Sequence, residues 1–530
     1  MEEKRTLAKY DFRSKQEYIY RTDKVREIVG ASELITRAYN DFFEALWNSG
    51  IRVDNALAKN GACPQNAPCA FEGGEMLRYI NNPDCIFDPN FGDDLDGKII
   101  YIGGGNLYML WRTEEIARAA SGVLSKMLRE KAYSLSPVCG FAEYSGEYSE
   151  DMKKLNKAFE SCKVTVPPFM PTAMLPFTEL DRRTSLPVAY KSGKDKIGRL
   201  LKEDESISRE SYLKRRQYKD THGDKQELLD DLVYEKGVES LLAVIYIDGN
   251  NMGQTIQAKM APNNNPITDY KEGVKIIRQL SNEIQESFVT KPREAIEKDA
   301  QNNSLMKDKL RWIVSGGDEI TLICNAQAAL RILGIYFKTL DKAGGGYTAC
   351  AGVAVFHSHF PFSKAYAIAE ECCEEAKKLN RKDAQNRKDA GGGQNCIVDF
   401  QYIYSGVTGD LKSMREAEAK LNLIARPYLI SGTVSDIPLL KDNFLNRGLR
   451  LKKHIGRSNI KQLAALLFDP SARYDLELER LDAQFPEAEL KQHREDDKKY
   501  MLDISQFYDI WFAEDKEHRP NIKKFYDGLF

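Results

Sequence analysis

The sequence lacks the features that define several protein classes. No window approaches the ~20 continuous apolar residues of a membrane-spanning helix, and residues 1–5 lack the hydrophobic region of a secretory signal. The ten cysteines have no structural-zinc spacing and the six histidines form no His-Glu-x-x-His pattern. A Walker-type phosphate loop is also absent. We therefore expect a cytoplasmic protein without structural zinc, a histidine-based metal centre or a contact with the membrane.

The sequence also has little net charge. Its formal charge of −2 gives no overall attraction to nucleic acid or to anionic membranes, so any polyanion must bind at a local patch. A hydrophobic content of 42% and a mean hydropathy of −0.50 are ordinary for a globular protein. At 530 residues the chain is expected to divide into about three domains.

Two adjacent carboxylates lie at the tip of a predicted β-hairpin. In the segment 311–324, two apolar β-runs, predicted as strands 310–315 and 319–324, flank a Gly-Gly turn that carries Asp318 and Glu319. Upstream, the apolar run 241–247 predicts a buried strand that ends at Asp248. If these strands are neighbours, Asp248 and Asp318 meet at one edge of a sheet.

Carboxylates in this arrangement indicate a site for Mg²⁺ or Mn²⁺. Mg²⁺ is usually held by one or two carboxylates plus substrate phosphates, and two such ions roughly 4 Å apart support nucleotidyl transfer. The turn is also explained as a plain hairpin loop, because Gly and Asp are common turn residues. The run Asp248-Gly249-Asn250-Asn251 at the end of a buried strand favours the metal site.

The order of predicted elements occurs twice, in residues 5–141 and 241–356, as strand, helix, strand, turn, strand, helix, strand. This order predicts an α+β protein with two ferredoxin-like palm domains, each an antiparallel sheet backed by helices. We expect a first palm at 1–192 with an inserted loop region, a charged, solvated connector at 193–240, a second palm at 241–404, and a helical domain at 405–530.

The first hairpin has lost the carboxylates of the second. When Gly104-Gly105 is aligned with Gly316-Gly317, Asn106 stands opposite Asp318. The first palm is therefore predicted to be non-catalytic and to shape the pocket. Its glycines either let a ligand approach the backbone or form a turn without a ligand.

The paired units resemble the large polymerase-cyclase subunit of type III CRISPR effector complexes. The resemblance covers roughly residues 5 to 430 and rests on the segments 24–32, 247–253, 315–319 and 426–428. It implies two facing palms with two ATP molecules between them, joined into cyclic oligoadenylates that act as second messengers in antiviral defence. The corresponding mechanism is metal-assisted attack of a 3′-hydroxyl on an α-phosphate with release of pyrophosphate.

The resemblance also implies roles for particular residues. Asp248, Asp318 and Glu319 would be catalytic, and Asp248 and Asp318 would be the metal ligands. Lys377 would neutralise a triphosphate, unless it is only a solvated member of a Lys-Lys pair. The substrate-binding residues would be Gly249, Asn250, Asn251, Ser315, Gly316, Gly317 and Lys377 from the second palm, and Ser32, Gly104, Gly105 and Asn106 from the first.

Three departures from the family pattern alter the expected activity. The sequence has no His-Asp dipeptide, so the DNA-cutting activity often found in the family is not expected, and the zinc-binding cysteines often found between the palms have no equivalent. Asn250 is an amide where an aspartate is common, which would weaken a second metal. These departures favour a free-standing cyclase. Its expected partners are nucleoside triphosphates, with CRISPR-type protein or RNA partners and a homo-oligomer left open.

Two other functions remain compatible with the sequence. Diguanylate cyclases share the fold and the Gly-Gly-Asp-Glu turn, which would mean GTP and a cyclic dinucleotide, although Ile320 replaces their usual Phe. A non-catalytic nucleotide sensor or scaffold is the second, and the retained carboxylates argue against it. Substitution of Asp318 by Ala separates catalysis from sensing.

Overall fold

The structure, a computed structural model, falls into two compact units. It describes residues 4–53, 83–92, 94–165, 177–192, 201, 205–223, 229–233, 240–386, 395–404, 409–432, 436–469, 473–488, 490, 497–514 and 521–530. Unit 1 is Met1–Leu228 with Met252–Gln285, and unit 2 is Leu229–Asn251 with Glu286–Phe530. Most of the predicted inserted loop lies outside the described residues. The units divide the chain differently from the four predicted domains.

A four-stranded antiparallel sheet forms the centre of unit 1. Its strands are β1 Thr6–Arg13, β2 Gly97–Gly103, β3 Asn106–Trp111 and β4 Ser136–Glu143, in the order β2-β3-β1-β4. A small hairpin pairs β5 Val188–Lys191 with β6 Ser206–Ser208. The helices are α1 Lys15–Tyr20, α2 Val25–Asn48, α3 Glu114–Lys131, α4 Tyr148–Thr165, α5 Arg209–His222, α6 Met252–Met260 and α7 Tyr270–Ile284, with a 3₁₀ turn at Pro262–Asn264.

Helix α7 belongs to unit 1, although the sequence order assigns it to the second palm. The Arg278 guanidinium donates to the main-chain oxygens of Ile99 and Ile100 of β2, at 3.0 and 2.8 Å. Gly273 permits close packing, since a Cβ there would lie 2.7 Å from the Tyr148 ring. These contacts hold a segment of the second repeat in the core of the first.

The charged helix α5 is buried, so the prediction of a solvated connector is wrong for this part of 193–240. The side chains of Glu210, Lys214 and Arg215 are 0% exposed. Lys214 binds Glu210 at 2.6 Å, and Arg215 binds Glu27 of α2 at 2.7 Å. The two helices touch backbone to backbone, because a Cβ at Gly30 would lie 2.0 Å from the Lys214 carbonyl oxygen. The mixed charges are therefore internal ion pairs.

A six-stranded sheet forms the centre of unit 2. Its strands are β7 Leu241–Gly249, β8 Leu310–Gly316, β9 Glu319–Asn325, β10 Ala349–His357, β11 Cys396–Tyr402 and β12 Tyr428–Ser431, in the order β12-β11-β10-β7-β9-β8. The sheet is mixed, because β10 and β11 run parallel. The four core strands β8, β9, β7 and β10 are antiparallel, as predicted for the second palm, and β11 and β12 extend the sheet beyond them.

The helices of unit 2 continue to the end of the described chain. They are α8 Lys291–Gln301, α9 Ala329–Lys342, α10 Phe362–Asn386, α11 Leu411–Met414, α12 Glu416–Lys420, α13 Arg447–His454, α14 Arg457–Leu466, α15 Arg473–Gln484, α16 Asp497–Phe507 and α17 Ile522–Tyr526. Leu440–Asn446 and Tyr508–Phe512 are π-helical, as is Gln285–Thr290 where the chain passes between units. Leu229–Asp231, Ala326–Ala328 and Pro486–Ala488 are 3₁₀ turns.

Buried charges join the C-terminal helices to the second sheet. Arg426, just before β12, pairs with Asp503 of α16 and donates to Glu418 of α12 at 2.8 Å. The Tyr428 hydroxyl donates to Asp503 at 2.7 Å. The segment after 404 thus contains a sheet strand and packs into the core of unit 2. Within the described residues, no helix is long and apolar enough to span a bilayer.

Both units repeat the ferredoxin-like strand order. In unit 1 the first strand, β1, lies between β3 and β4, and in unit 2 the equivalent β7 lies between β9 and β10. Each unit has a two-residue hairpin turn next to the end of that central strand. The predicted α+β fold with two palm-type sheets and additional helices is confirmed.

Candidate active site

Strand register brings the predicted carboxylates together at one edge of the second sheet. Asp248, near the end of β7, lies directly opposite Glu319, the first residue of β9. Asp318 occupies the hairpin turn, and its main-chain oxygen accepts a hydrogen bond of 3.1 Å from the amide of Gly249. Directly opposed residues share a face of a sheet, so Asp248 and Glu319 project to the same side.

A lysine from helix α10 completes this edge. The Lys377 ammonium lies 2.5 Å from a carboxylate oxygen of Asp248 and donates to the Gly249 main-chain oxygen at 3.2 Å. Its side chain is only 17% exposed, so Lys377 is not a solvated surface lysine, which was the alternative that the sequence left open. An ammonium has three donors, and these two contacts leave the third N–H for a further acceptor.

The electrostatics of the edge favour a bound cation. Burial raises the pKa of the Asp248 carboxyl, and the Lys377 ammonium opposes that shift. Burial also raises the pKa of Asp318, and the negative charge of Asp248 adds to the effect. The carboxylates of Asp248, Asp318 and Glu319 outnumber the one ammonium, so a divalent cation would relieve their repulsion.

The two glycines of the second hairpin differ in backbone conformation and in the space beside them. Gly317 has φ +64°, a conformation that L side chains rarely adopt. Gly316 meets no atom within 4 Å of a hypothetical Cβ, so there is free space beside it. Ser315 pairs with Ile320 in the hairpin register. Because successive strand residues alternate in direction, Ser315 lies on the face opposite Asp248.

The asparagines after β7 differ from each other in their surroundings. The Asn250 amide nitrogen donates to the Thr348 hydroxyl and to the Asn395 main-chain oxygen, both at 3.0 Å. Asn251 has φ +53°, which Asn tolerates better than most residues. The amide donors of Asn250 are therefore already used within the fold.

The first hairpin aligns with the second one residue away from the predicted alignment. Gly103 pairs with Asn106 around the turn, as Gly316 pairs with Glu319. Gly105 is thus the counterpart of Asp318, and Asn106 the counterpart of Glu319. The predicted alignment of Asn106 with Asp318 is wrong, but the conclusion that the first hairpin has no carboxylate holds. The Asn106 amide donates to the Gly104 main-chain oxygen at 3.0 Å.

Unit 1 contains a carboxylate that the sequence comparison missed. Asp11 of β1 pairs with Val138 of β4, as Asp248 of β7 pairs with Cys350 of β10. The Lys15 ammonium lies 2.8 Å from the Asp11 carboxylate. It also lies 2.6 Å from where a Cβ of Gly105 would be. The Lys15 ammonium of unit 1 therefore occupies the position that corresponds to the Asp318 side chain in unit 2.

The predicted Gly-Ala-Ser element is a helix-packing element in the structure. Gly30 lies against the backbone of α5, and Ala31 is 0% exposed. Ser32 is partly exposed in the middle of α2. Nothing in unit 1 tests its predicted contact with a nucleotide, which stays a prediction.

The residues that could hold a metal ion are Asp248 and Asp318. Among the residues the structure describes, no three His, Cys, Asp or Glu side chains are grouped so as to hold a metal by themselves. Two carboxylates fit the usual Mg²⁺ pattern, in which waters and substrate phosphates supply the other ligands. Sequence reasoning did not find the pairing of Asp248 with Lys377, whose partners are 129 residues apart.

Residues 241–386 match the family model of the Cas10/Cmr2 second palm domain, which confirms the resemblance of this segment to the polymerase-cyclase subunit. A Csm1-Csm4 cassette solved with pppApA is 14% identical, with 96% of this chain and 69% of that chain covered and a TM-score of 0.46. Csm1 in T. onnurineus is 13% identical, with 95% and 69% covered and a TM-score of 0.46. No curated protein matches the chain.

Proposed function

From the similarity of residues 241–386 to the second palm domain of Cas10/Cmr2, we propose that the chain is a nucleotidyltransferase. It would convert ATP into cyclic oligoadenylate second messengers with release of pyrophosphate, in antiviral defence. The observation that carries the proposal is the joining of the Asp318 turn to the end of β7, beside the Asp248–Lys377 pair. Protein or RNA partners of the CRISPR type remain part of the proposal.

Asp248 and Asp318 would hold Mg²⁺ or Mn²⁺ at this edge. When bound, such a cation supplies Lewis-acid stabilisation of phosphate charge and makes a 3′-hydroxyl easier to deprotonate. The free N–H of Lys377 can donate to a phosphate oxygen without losing its bond to Asp248. The open space beside Gly316 lets a phosphate approach the turn. These residues act by positioning the nucleotide and neutralising its charge.

The test is product analysis by mass spectrometry. The purified chain is incubated with each nucleoside triphosphate, singly and mixed, with Mg²⁺ or Mn²⁺. We expect a cyclic oligoadenylate from ATP, and loss of this product in Asp318→Ala and Asp248→Ala. Asp341→Ala, which removes an exposed carboxylate of α9, is the matched control and should keep full activity.

Each alternative gives a different result. A product made from GTP alone would support a cyclic dinucleotide synthase. Binding of ATP without product in any mixture would support a nucleotide sensor. A cyclic product that survives Asp318→Ala would contradict the assignment of the site.

A further inference from the structure

Asn250 stands where an aspartate is common in the family that the chain resembles, and its contacts indicate a different task from metal binding. Its side-chain nitrogen has two protons, and the two hydrogen bonds to Thr348 and Asn395 use both. Its backbone amide also donates to the Thr348 main-chain oxygen at 2.8 Å. The residue therefore ties the end of β7 to the segments that enter β10 and β11.

The same contacts lead to helix α10, which carries Lys377. The Asn395 main-chain oxygen also accepts a hydrogen bond of 3.1 Å from Asn380, one helical turn after Lys377. Asn395 and Asn380 are 0% and 2% exposed. Because buried hydrogen bonds are costly to leave unmade, this connection fixes the end of β7 relative to α10. These hydrogen bonds connect β7, which carries Asp248, with α10, which carries Lys377.

We propose that Asn250 is a positioning residue that acts through Asp248 and Lys377, and is not a third metal ligand. The inference rests on the proposed function of the site. It explains why an amide suits this chain, since an aspartate could not donate to the Asn395 main-chain oxygen and would place a carboxylate against it. The cation would then depend on Asp248 and Asp318 alone among the side chains.

Mn²⁺ binding, measured by electron paramagnetic resonance on the full chain without nucleotide, tests the inference. Asn250→Ala and Asn250→Asp should each weaken Mn²⁺ binding about tenfold, the lower end of the effect for residues that hold metal ligands. Thr348→Val removes one acceptor and should cause a smaller loss in the same direction. Asn302→Asp, at an exposed asparagine of unit 2, is the control and should bind Mn²⁺ like the wild type.

The aspartate variant separates positioning from ligation. A metal-ligand role predicts tighter Mn²⁺ binding in Asn250→Asp, because a carboxylate replaces an amide, and that result would overturn the inference. Unchanged Mn²⁺ binding in Asn250→Ala and Thr348→Val would also overturn it. Melting temperatures show whether an Asn250 variant is unfolded. If it is, the Mn²⁺ affinity of Thr348→Val tests the inference instead.

The proposed function can fail separately from this inference. Wild type that binds Mn²⁺ in an Asp248-dependent way but makes no cyclic product would contradict the cyclase and leave the Asn250 result interpretable. Mn²⁺ binding that does not depend on Asp248 would overturn both.

Discussion

Asp248 and Asp318 are held close together although both are negatively charged when ionised. Burial raises the pKa of each carboxyl, and for Asp318 the Asp248 charge adds to burial. The folded protein therefore takes up protons at higher pH than the unfolded chain. By linkage, the free energy of unfolding of the metal-free protein falls as the pH rises through that range. The two carboxylates therefore lower the stability of the metal-free protein at neutral pH.

Asp318→Asn should therefore leave the metal-free protein as stable as the wild type or slightly more stable. It removes a repelling charge, so the decline in melting temperature with rising pH should become shallower. Thermal denaturation between about pH 4 and 7 in the presence of a chelator measures this. Asp341→Asn is the control. A large drop in stability would mean that the Asp318 carboxylate is structural.

The two turn glycines give a matched pair of variants. Gly317→Ala should lower the free energy of unfolding by about 1–2 kcal/mol, because an L side chain is strained at positive φ. Gly316→Ala meets no neighbour and should be nearly neutral in denaturant unfolding. If phosphates approach this turn, Gly316→Ala should still reduce product formation. Full activity of Gly316→Ala would indicate that substrate does not come close to the turn.

At the scale of elements, the contact between α2 and α5 depends on Gly30. Gly30→Ala should destabilise unit 1 by about 1–3 kcal/mol, because its Cβ would overlap the Lys214 carbonyl oxygen. Gly122→Ala is the matched control, since this exposed glycine of α3 has no atom within 4 Å of a hypothetical Cβ. It should stabilise the helix by about 0.5–1 kcal/mol. Calorimetry of both variants checks the pair, and equal effects would refute the packing argument.

The packing of the C-terminal helices against the second sheet depends on the buried ion pair of Arg426 and Asp503. Arg426→Ala should lower the free energy of unfolding by about 3–5 kcal/mol, because it leaves Asp503 buried without its cation. The control is Arg293→Ala, whose partner Glu297 is exposed, and which should cost about 0.5 kcal/mol. Urea denaturation followed by circular dichroism measures both losses. Similar losses in both variants would contradict the assigned role of the buried pair.

At the scale of the whole molecule, local patterns predicted the strands around the site well, and the metal site that they suggested stays a prediction. The apolar run 241–247 and the hairpin gave β7, β8 and β9, because strand periodicity and turn residues act over a few positions. The alignment of the two hairpins was shifted by one residue because three consecutive glycines, Gly103 to Gly105, allow two alignments. Only strand register decides between them.

Long-range packing accounts for what the sequence did not predict. The mixed charges of α5 are typical of a solvated helix, but Arg215 pairs with Glu27 of α2, which lies 188 residues earlier in the chain. Helix α7 has the periodicity expected of the second repeat, yet Arg278 binds main-chain oxygens 178 residues earlier. Lys377 and Asp248 likewise meet only in the folded unit. Periodicity identifies a buried face and does not identify the element that covers it.

The central claim is that the carboxylates of the second hairpin carry out nucleotidyl transfer. Pyrophosphate release from ATP with Mn²⁺ tests it most directly in wild type, Asp318→Asn and Asp341→Asn. The account predicts release by wild type and Asp341→Asn, and a loss of about 100-fold or more in Asp318→Asn, the effect of removing a group that stabilises transition-state charge. Equal release by Asp318→Asn and wild type would contradict it.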